Sequence, residues 1–258
     1  MRYLYILVIF TLTFPVISYS AIDLLVLGDS QTGATWSKTY FGNYLQKCLK
    51  EQIAETGDFV VYARGATQPT HWIKNAALDN IETIQRDAIN NHKNIGNLAA
   101  VPLEKKRIEP MLQSLQPKKV LLFFGDNLMA ETSATIETQF KNLLSYVSAG
   151  KIEKRDCYLL TPTFEMEVSS HRNVKGKTLE NTNKVIAAMT KAAGDSCQVI
   201  NGLDLIKASP YYLKANLVKR VAIPGDIGCT GAATDDNIHL CGEAARYLAQ
   251  ATCNKLKE

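Results

Sequence analysis

Four short clusters of polar residues carry groups able to do chemistry. Gly28-Asp29-Ser30-Gln31 puts a hydroxyl beside a carboxylate, and Arg64-Gly65-Ala66-Thr67 is a glycine-centred turn. Gly125-Asp126-Asn127 carries a side-chain amide, and Asp236-Asn237-Ile238-His239 sets a carboxylate three residues before an imidazole. A serine hydroxyl is a weak nucleophile without an adjacent base. Histidine takes up and returns a proton near neutral pH. Each cluster also has an ordinary structural use. Gly-Asp-Ser after a strand makes a turn and a helix cap. Gly65 permits a tight turn, Asn127 is a capping type, and Asp236 and His239 suit a polar loop.

Position separates these clusters from ordinary turns. Short apolar runs at Ile22–Leu27, Phe59–Ala63, Val120–Phe124, Cys157–Leu160 and Cys197–Ile200 read as buried strands. Helical spacing of apolar residues predicts helices at Tyr40–Ile53, Leu103–Leu115, Thr135–Val147, Leu179–Ala193 and Glu243–Lys255. Pro110 is expected to bend or split the second of these. A further helix is expected around Asn80–Asn90. Short apolar strands alternating with helices imply an α/β three-layer sandwich, with a mainly parallel five-stranded sheet covered on both faces. Sites in open α/β sheets form beyond the carboxyl ends of strands. The first three clusters follow the first three strands, and the fourth precedes the last helix. Two long irregular segments, Thr163–Lys177 and Lys207–Thr234, have the length of functional loops.

Composition narrows the function. The chain has 258 residues, 46% of them hydrophobic, and a formal charge of +4. That suits one globular domain. No long basic tract is present, which argues against a nucleic-acid partner. The triplet Lys105-Lys106-Arg107 reads as the solvated face of a helix. No phosphate loop, dinucleotide fingerprint or metal motif occurs, so no cofactor and no metal is expected.

Taken together, the four clusters resemble the sequence blocks of the SGNH hydrolases, also called the GDSL esterases and lipases. Gly28-Asp29-Ser30 is similar to the family's nucleophile block, Gly65 to its second, Gly125-Asp126-Asn127 to its Gly-x-Asn block, and Asp236-Asn237-Ile238-His239 to its Asp-x-x-His block. Two departures stand out. Gln31 replaces the usual aliphatic residue after the serine, and Leu128 stands where the third block often has Asp. The resemblance implies a flavodoxin-like SGNH fold and assigns the roles. Ser30 is the expected nucleophile and His239 its base. Asp236 is expected to fix the tautomer of His239. The Ser30 and Gly65 backbone N–H groups and the Asn127 amide are expected to form the oxyanion hole.

Gln31, Trp36, His71 and Trp72 are expected to border the substrate, although core packing is an equal use for the aromatics. His71, His92 and His171 lie in no recognisable block, so surface or structural roles suit them. The leading expectation is a serine esterase acting on small acyl esters, including O-acetyl groups on carbohydrate or cell-envelope glycan. A lipase, lysophospholipase or thioesterase, or an acyltransferase, would use the same triad. A glycan-binding module without turnover is the non-enzymatic alternative.

Residues 1–20 have the layout of a cleaved signal peptide. Arg2 precedes an apolar run from Tyr3 to Ile17, and Ser18-Tyr19-Ser20 supplies small residues before Ala21. The run is short for a membrane span. Residues 21–258 are then expected to form the hydrolase-like domain of a secreted or periplasmic protein with no stable membrane span. All six cysteines fall in that part, which suggests disulfides. Sequence alone leaves every pairing open. The coarse fold suggests Cys157 with Cys197 on adjacent strands, Cys229 with Cys241 around one loop, and Cys48 with Cys253 between the first and last helices.

Overall fold

The structure, a computed structural model, describes residues 22–33, 41–52, 59–64, 67–73, 87–91, 107–162, 179–210, 240 and 242–257. Six strands form one sheet: β1 (Leu24–Gly28), β2 (Phe59–Arg64), β3 (Asp87–Asn91), β4 (Lys119–Phe123), β5 (Cys157–Leu160) and β6 (Gln198–Ile200). Their spatial order is β3-β2-β1-β4-β5-β6. The five expected strands are mutually parallel.

The sixth strand is a correction. Asp87–Asn91, where a helix was expected, pairs antiparallel with β2 in the register Tyr62↔Ile89. Its sequence, Asp-Ala-Ile-Asn-Asn, has neither helical nor strand periodicity. The unpaired edge of β2 decides its conformation rather than local propensity.

The described helices are α1 (Ser30–Gly33), α2 (Phe41–Gln52), α3 (Ile108–Leu115), α4 (Ser133–Ala149), α5 (Leu179–Ala193), α6 (Gly202–Ala208) and α7 (Gly242–Lys257). Pro110 does not split α3, which runs on through it. It is the third residue of that helix, within the first turn, whose N–H groups have no intrahelical acceptor to lose. The helix α6 was not expected. Asn201 starts it, with its side-chain oxygen accepting from the Asp204 N–H at 3.2 Å.

The parallel strands alternate their side chains between two apolar layers. Leu25, Leu27, Val60, Val120, Leu122 and Leu159 pack with Met111, Phe140, Leu143 and Met189 from α3, α4 and α5. Leu24, Val26, Val61, Leu121, Phe123 and Leu160 pack with Phe41, Leu45, Ile206 and Leu248 from α2, α6 and α7. All five residues of β1 are buried, because strands pair with it on both sides and helices cover both faces. Among the described residues no helix is long and apolar enough to cross a membrane.

Two disulfides clip this frame, and they are two of the three pairs named from the sequence. Cys48 of α2 bonds Cys253 of α7. Cys157 bonds Cys197, with Cα atoms 4.6 Å apart. The parallel register Tyr158↔Gln198 makes these two cysteines neighbours at the amino ends of β5 and β6. Cys229 and Cys241 lie outside the described residues. Replacing Cys48 and Cys253 together by Ala is expected to lower stability by about 2–5 kcal/mol. The loss should exceed that from the Cys157/Cys197 pair, because the first bond spans 205 residues of sequence and the second 40. Urea unfolding of the two double variants measures the difference.

Candidate functional site

The order of the strands locates the site. From β1 the chain passes to β2 on one side, and β4 later takes the other side of β1. The winding therefore reverses between β1 and β4, which opens a crevice at their carboxyl ends. Gly28 ends β1, and Asp29-Ser30 follow it into the crevice. Phe123 ends β4, and Asp126-Asn127 follow it from the other side. The Asp29 N–H donates to the Phe123 carbonyl at 3.2 Å, so the two strand ends stay joined beyond the ladder.

Glycine is required at position 28. A Cβ there would lie 2.1 Å from Thr32 Oγ1 and 3.0 Å from the Phe123 carbonyl oxygen. With no side chain in the way, the first turn of α1 folds directly onto the strand end. Ser30 starts that turn and remains half-buried at the crevice. Gly125 has φ +142°, and a Cβ on it would meet Pro162 at 2.4 Å.

Asp29 is 1% exposed. Its carboxylate accepts from the Gln31 N–H at 2.9 Å and from Asn127 Nδ2 at 3.4 Å. Asn127 Nδ2 also donates to the Thr67 carbonyl at 3.1 Å. Gln68 continues this link. Its Nε2 donates to the Asn127 carbonyl at 2.9 Å, and its Oε1 accepts from Gln139 Nε2 of α4 at 3.1 Å. Three segments distant in sequence thus meet around Ser30 and the Asn127 amide.

Ser30 and Asn127 are brought to one crevice, together with Thr67, two residues after Gly65. Gly65, Asp236, His239 and Trp36 lie outside the described residues. Leu240, the residue after His239, is described. Its N–H donates to Gln31 Oε1 at 3.1 Å, and its carbonyl accepts from the Phe41 N–H at 3.1 Å.

Two expected substrate contacts are corrected. Gln31 is only 1% exposed, so its side chain does not line an open surface. Instead its Nε2 donates to Asp126 and its Oε1 accepts from Leu240. Trp72 is fully buried. Its ring meets Tyr62 edge-on, with centroids 5.4 Å apart, and lies 6.1 Å from Phe124. The indole N–H donates to Thr67 Oγ1 at 3.3 Å, so Trp72 is a core residue with one polar tie. His71 closes the turn at 69–72. Its Nδ1 accepts from the Gln68 N–H at 3.1 Å, which places the proton of the neutral ring on Nε2.

Asp126 stood in the third cluster with no role of its own, and Gln68 and Gln139 were not singled out from the sequence. Gln139 left a readable signal, because it interrupts the apolar stripe Ile136, Phe140, Leu143 on the buried side of α4. Gln68 left none. A cavity of about 780 Å³, lined in part by Leu112, Lys118, Tyr146 and Ile152, lies near the amino end of β4, remote from this crevice.

No family model matches the chain, and no curated protein matches it. Solved structures do resemble it. A GDSL-like lipase from Bacteroides thetaiotaomicron is 11% identical, with 91% of this chain and 87% of that chain covered and a TM-score of 0.53. Est24, a carbohydrate acetylesterase from Sinorhizobium meliloti, is 12% identical, with 91% and 98% covered and a TM-score of 0.52. An acetyl xylan esterase is 16% identical, with 90% and 98% covered and a TM-score of 0.51. The likeness spans about nine tenths of the chain, and the fold is that of the SGNH hydrolases.

The close approach at Gly28 makes a stability test direct. Gly28→Ala is expected to destabilise the protein by about 1–3 kcal/mol through overpacking against Thr32 and β4. Thermal unfolding measures this as a lowered Tm.

Proposed function

We propose that this chain, which has the SGNH-hydrolase fold, is a serine esterase that hydrolyses small acyl esters. The observation that carries the reading is the Asn127 amide bonded to Asp29, the residue before Ser30, and to the Thr67 carbonyl in the crevice between β1 and β4. In the proposed reaction His239 takes the Ser30 proton as Oγ attacks the ester carbonyl. Asp236 holds the imidazolium that results. The tetrahedral oxyanion receives hydrogen bonds from the Ser30 and Gly65 backbone N–H groups and from Asn127 Nδ2. The longer of the two contacts made by Nδ2, 3.4 Å to Asp29, is the one an oxyanion would replace. Collapse expels the alcohol, which carries away the proton held by His239, and leaves an acyl group on Ser30. Water, deprotonated by His239, then attacks the acyl carbonyl, releasing the acid and restoring the serine.

An acetyl group on carbohydrate is the proposed substrate class. Two fold neighbours of known specificity, a carbohydrate acetylesterase and an acetyl xylan esterase, support it. The two disulfides suit an oxidising compartment outside the cytoplasm and support a secreted or periplasmic location.

Hydrolysis of p-nitrophenyl acetate, butyrate and octanoate tests the reading. Turnover is expected to be fastest on acetate and to vanish in Ser30→Ala. Asn127→Ala is expected to lower kcat by about 10²–10³ with KM little changed. Turnover in Ser30→Ala equal to that of the wild type would end the proposal. Binding of an acetylated glycan without turnover, and unaffected by Ser30→Ala, would identify a binding module instead.

A further inference from the structure

Gln31 departs from the aliphatic residue that usually follows the serine, and its surroundings give that departure a use. Its side chain is 1% exposed and joins three segments. The backbone N–H of Gln31 is held by the Asp29 carboxylate at 2.9 Å. Its Nε2 donates to Asp126, the residue before Asn127. Its Oε1 accepts the Leu240 N–H at 3.1 Å, one peptide unit after His239. The Leu240 carbonyl is held in turn by the Phe41 N–H at the start of α2. Leu240 itself is 6% exposed, so its peptide groups need protein partners.

We infer that Gln31 is a positioning residue that clamps the chain leaving His239 to the turn bearing Ser30 and to the loop bearing Asn127. This rests on the proposed esterase reading and assigns Gln31 no contact with substrate. The carboxamide suits the task because its two ends differ. One end donates to a carboxylate, and the other accepts from a backbone N–H. A leucine could fill the space but could make neither bond. A glutamate could make both only when protonated, with its O–H towards Asp126 and its carbonyl towards Leu240. Ionised, it would face the Asp126 carboxylate, with Asp29 also adjacent. Like charges so placed raise the pKa of the introduced carboxyl. The clamp in that variant is therefore present below the raised pKa and lost as pH rises through it.

The experiment compares wild type, Gln31→Leu and Gln31→Glu in p-nitrophenyl acetate hydrolysis between pH 5 and 9, with hydrogen exchange at the Leu240 amide. Gln31→Leu is expected to lose about 10²-fold in kcat, the scale of a 1 Å misplacement, with KM little changed. Exchange at Leu240 should be faster in that variant. The kcat of Gln31→Glu, divided by that of the wild type, should fall as pH rises. Wild-type kcat in Gln31→Leu, or unchanged exchange at Leu240, would overturn the clamp. So would a Gln31→Glu ratio that does not change with pH. Absence of Ser30-dependent turnover in the wild type would instead overturn the esterase reading. Exchange at Leu240 still tests the clamp in that case, since it needs no turnover.

Discussion

The reversal of winding at β1 is the constraint on which the site depends. A strand paired in parallel on both sides has no free edge, and its loop can only leave over the end of the sheet. The loops of β1 and β4 leave on opposite sides of one crevice, so their polar residues face each other across it. The bond from the Asp29 N–H to the Phe123 carbonyl sets the spacing of the two loops. Gly28 sets how closely α1 can approach, because any side chain there would collide with Thr32. The placement of Ser30 and Asn127 at one crevice follows from these backbone facts.

The floor of the crevice is polar and buried, an arrangement that is stable only when its groups find partners. Asp29 takes the Gln31 N–H and the Asn127 amide, Asn127 reaches Thr67, and Gln68 joins Asn127 to Gln139. An apolar floor would be cheaper to bury. Directional bonds do what an apolar floor could not: they fix the rotation of the Asn127 amide. A loop carbonyl on one side and a carboxylate on the other leave that amide little freedom.

The frame was legible because its signals are strong and local. Apolar runs at β1, β2, β4, β5 and β6 end at Gly, Pro or polar residues, and fully buried parallel strands need no alternation to be seen. The pairing of Cys157 with Cys197 followed from placing two cysteines at the starts of adjacent strands. Asp87–Asn91 was not legible, since an edge strand held by the backbone of β2 needs no apolar pattern of its own. Gln31 and Trp72 were placed near substrate because they lie close in sequence to the first two clusters. Proximity in sequence does not say which way a side chain turns. Trp72 turns into the core against Tyr62 and Phe124, and Gln31 turns beneath the crevice to meet Leu240.

The described covalent links stand away from the chemistry. Cys157 and Cys197 join the amino ends of β5 and β6, whereas Ser30 follows the carboxyl end of β1. Cys48 lies seven residues into α2, about 10 Å along the helix from Phe41, which holds Leu240. Cys253 lies eleven residues into α7, about 16 Å along it from Gly242. These links restrain the frame while the crevice itself is held by hydrogen bonds.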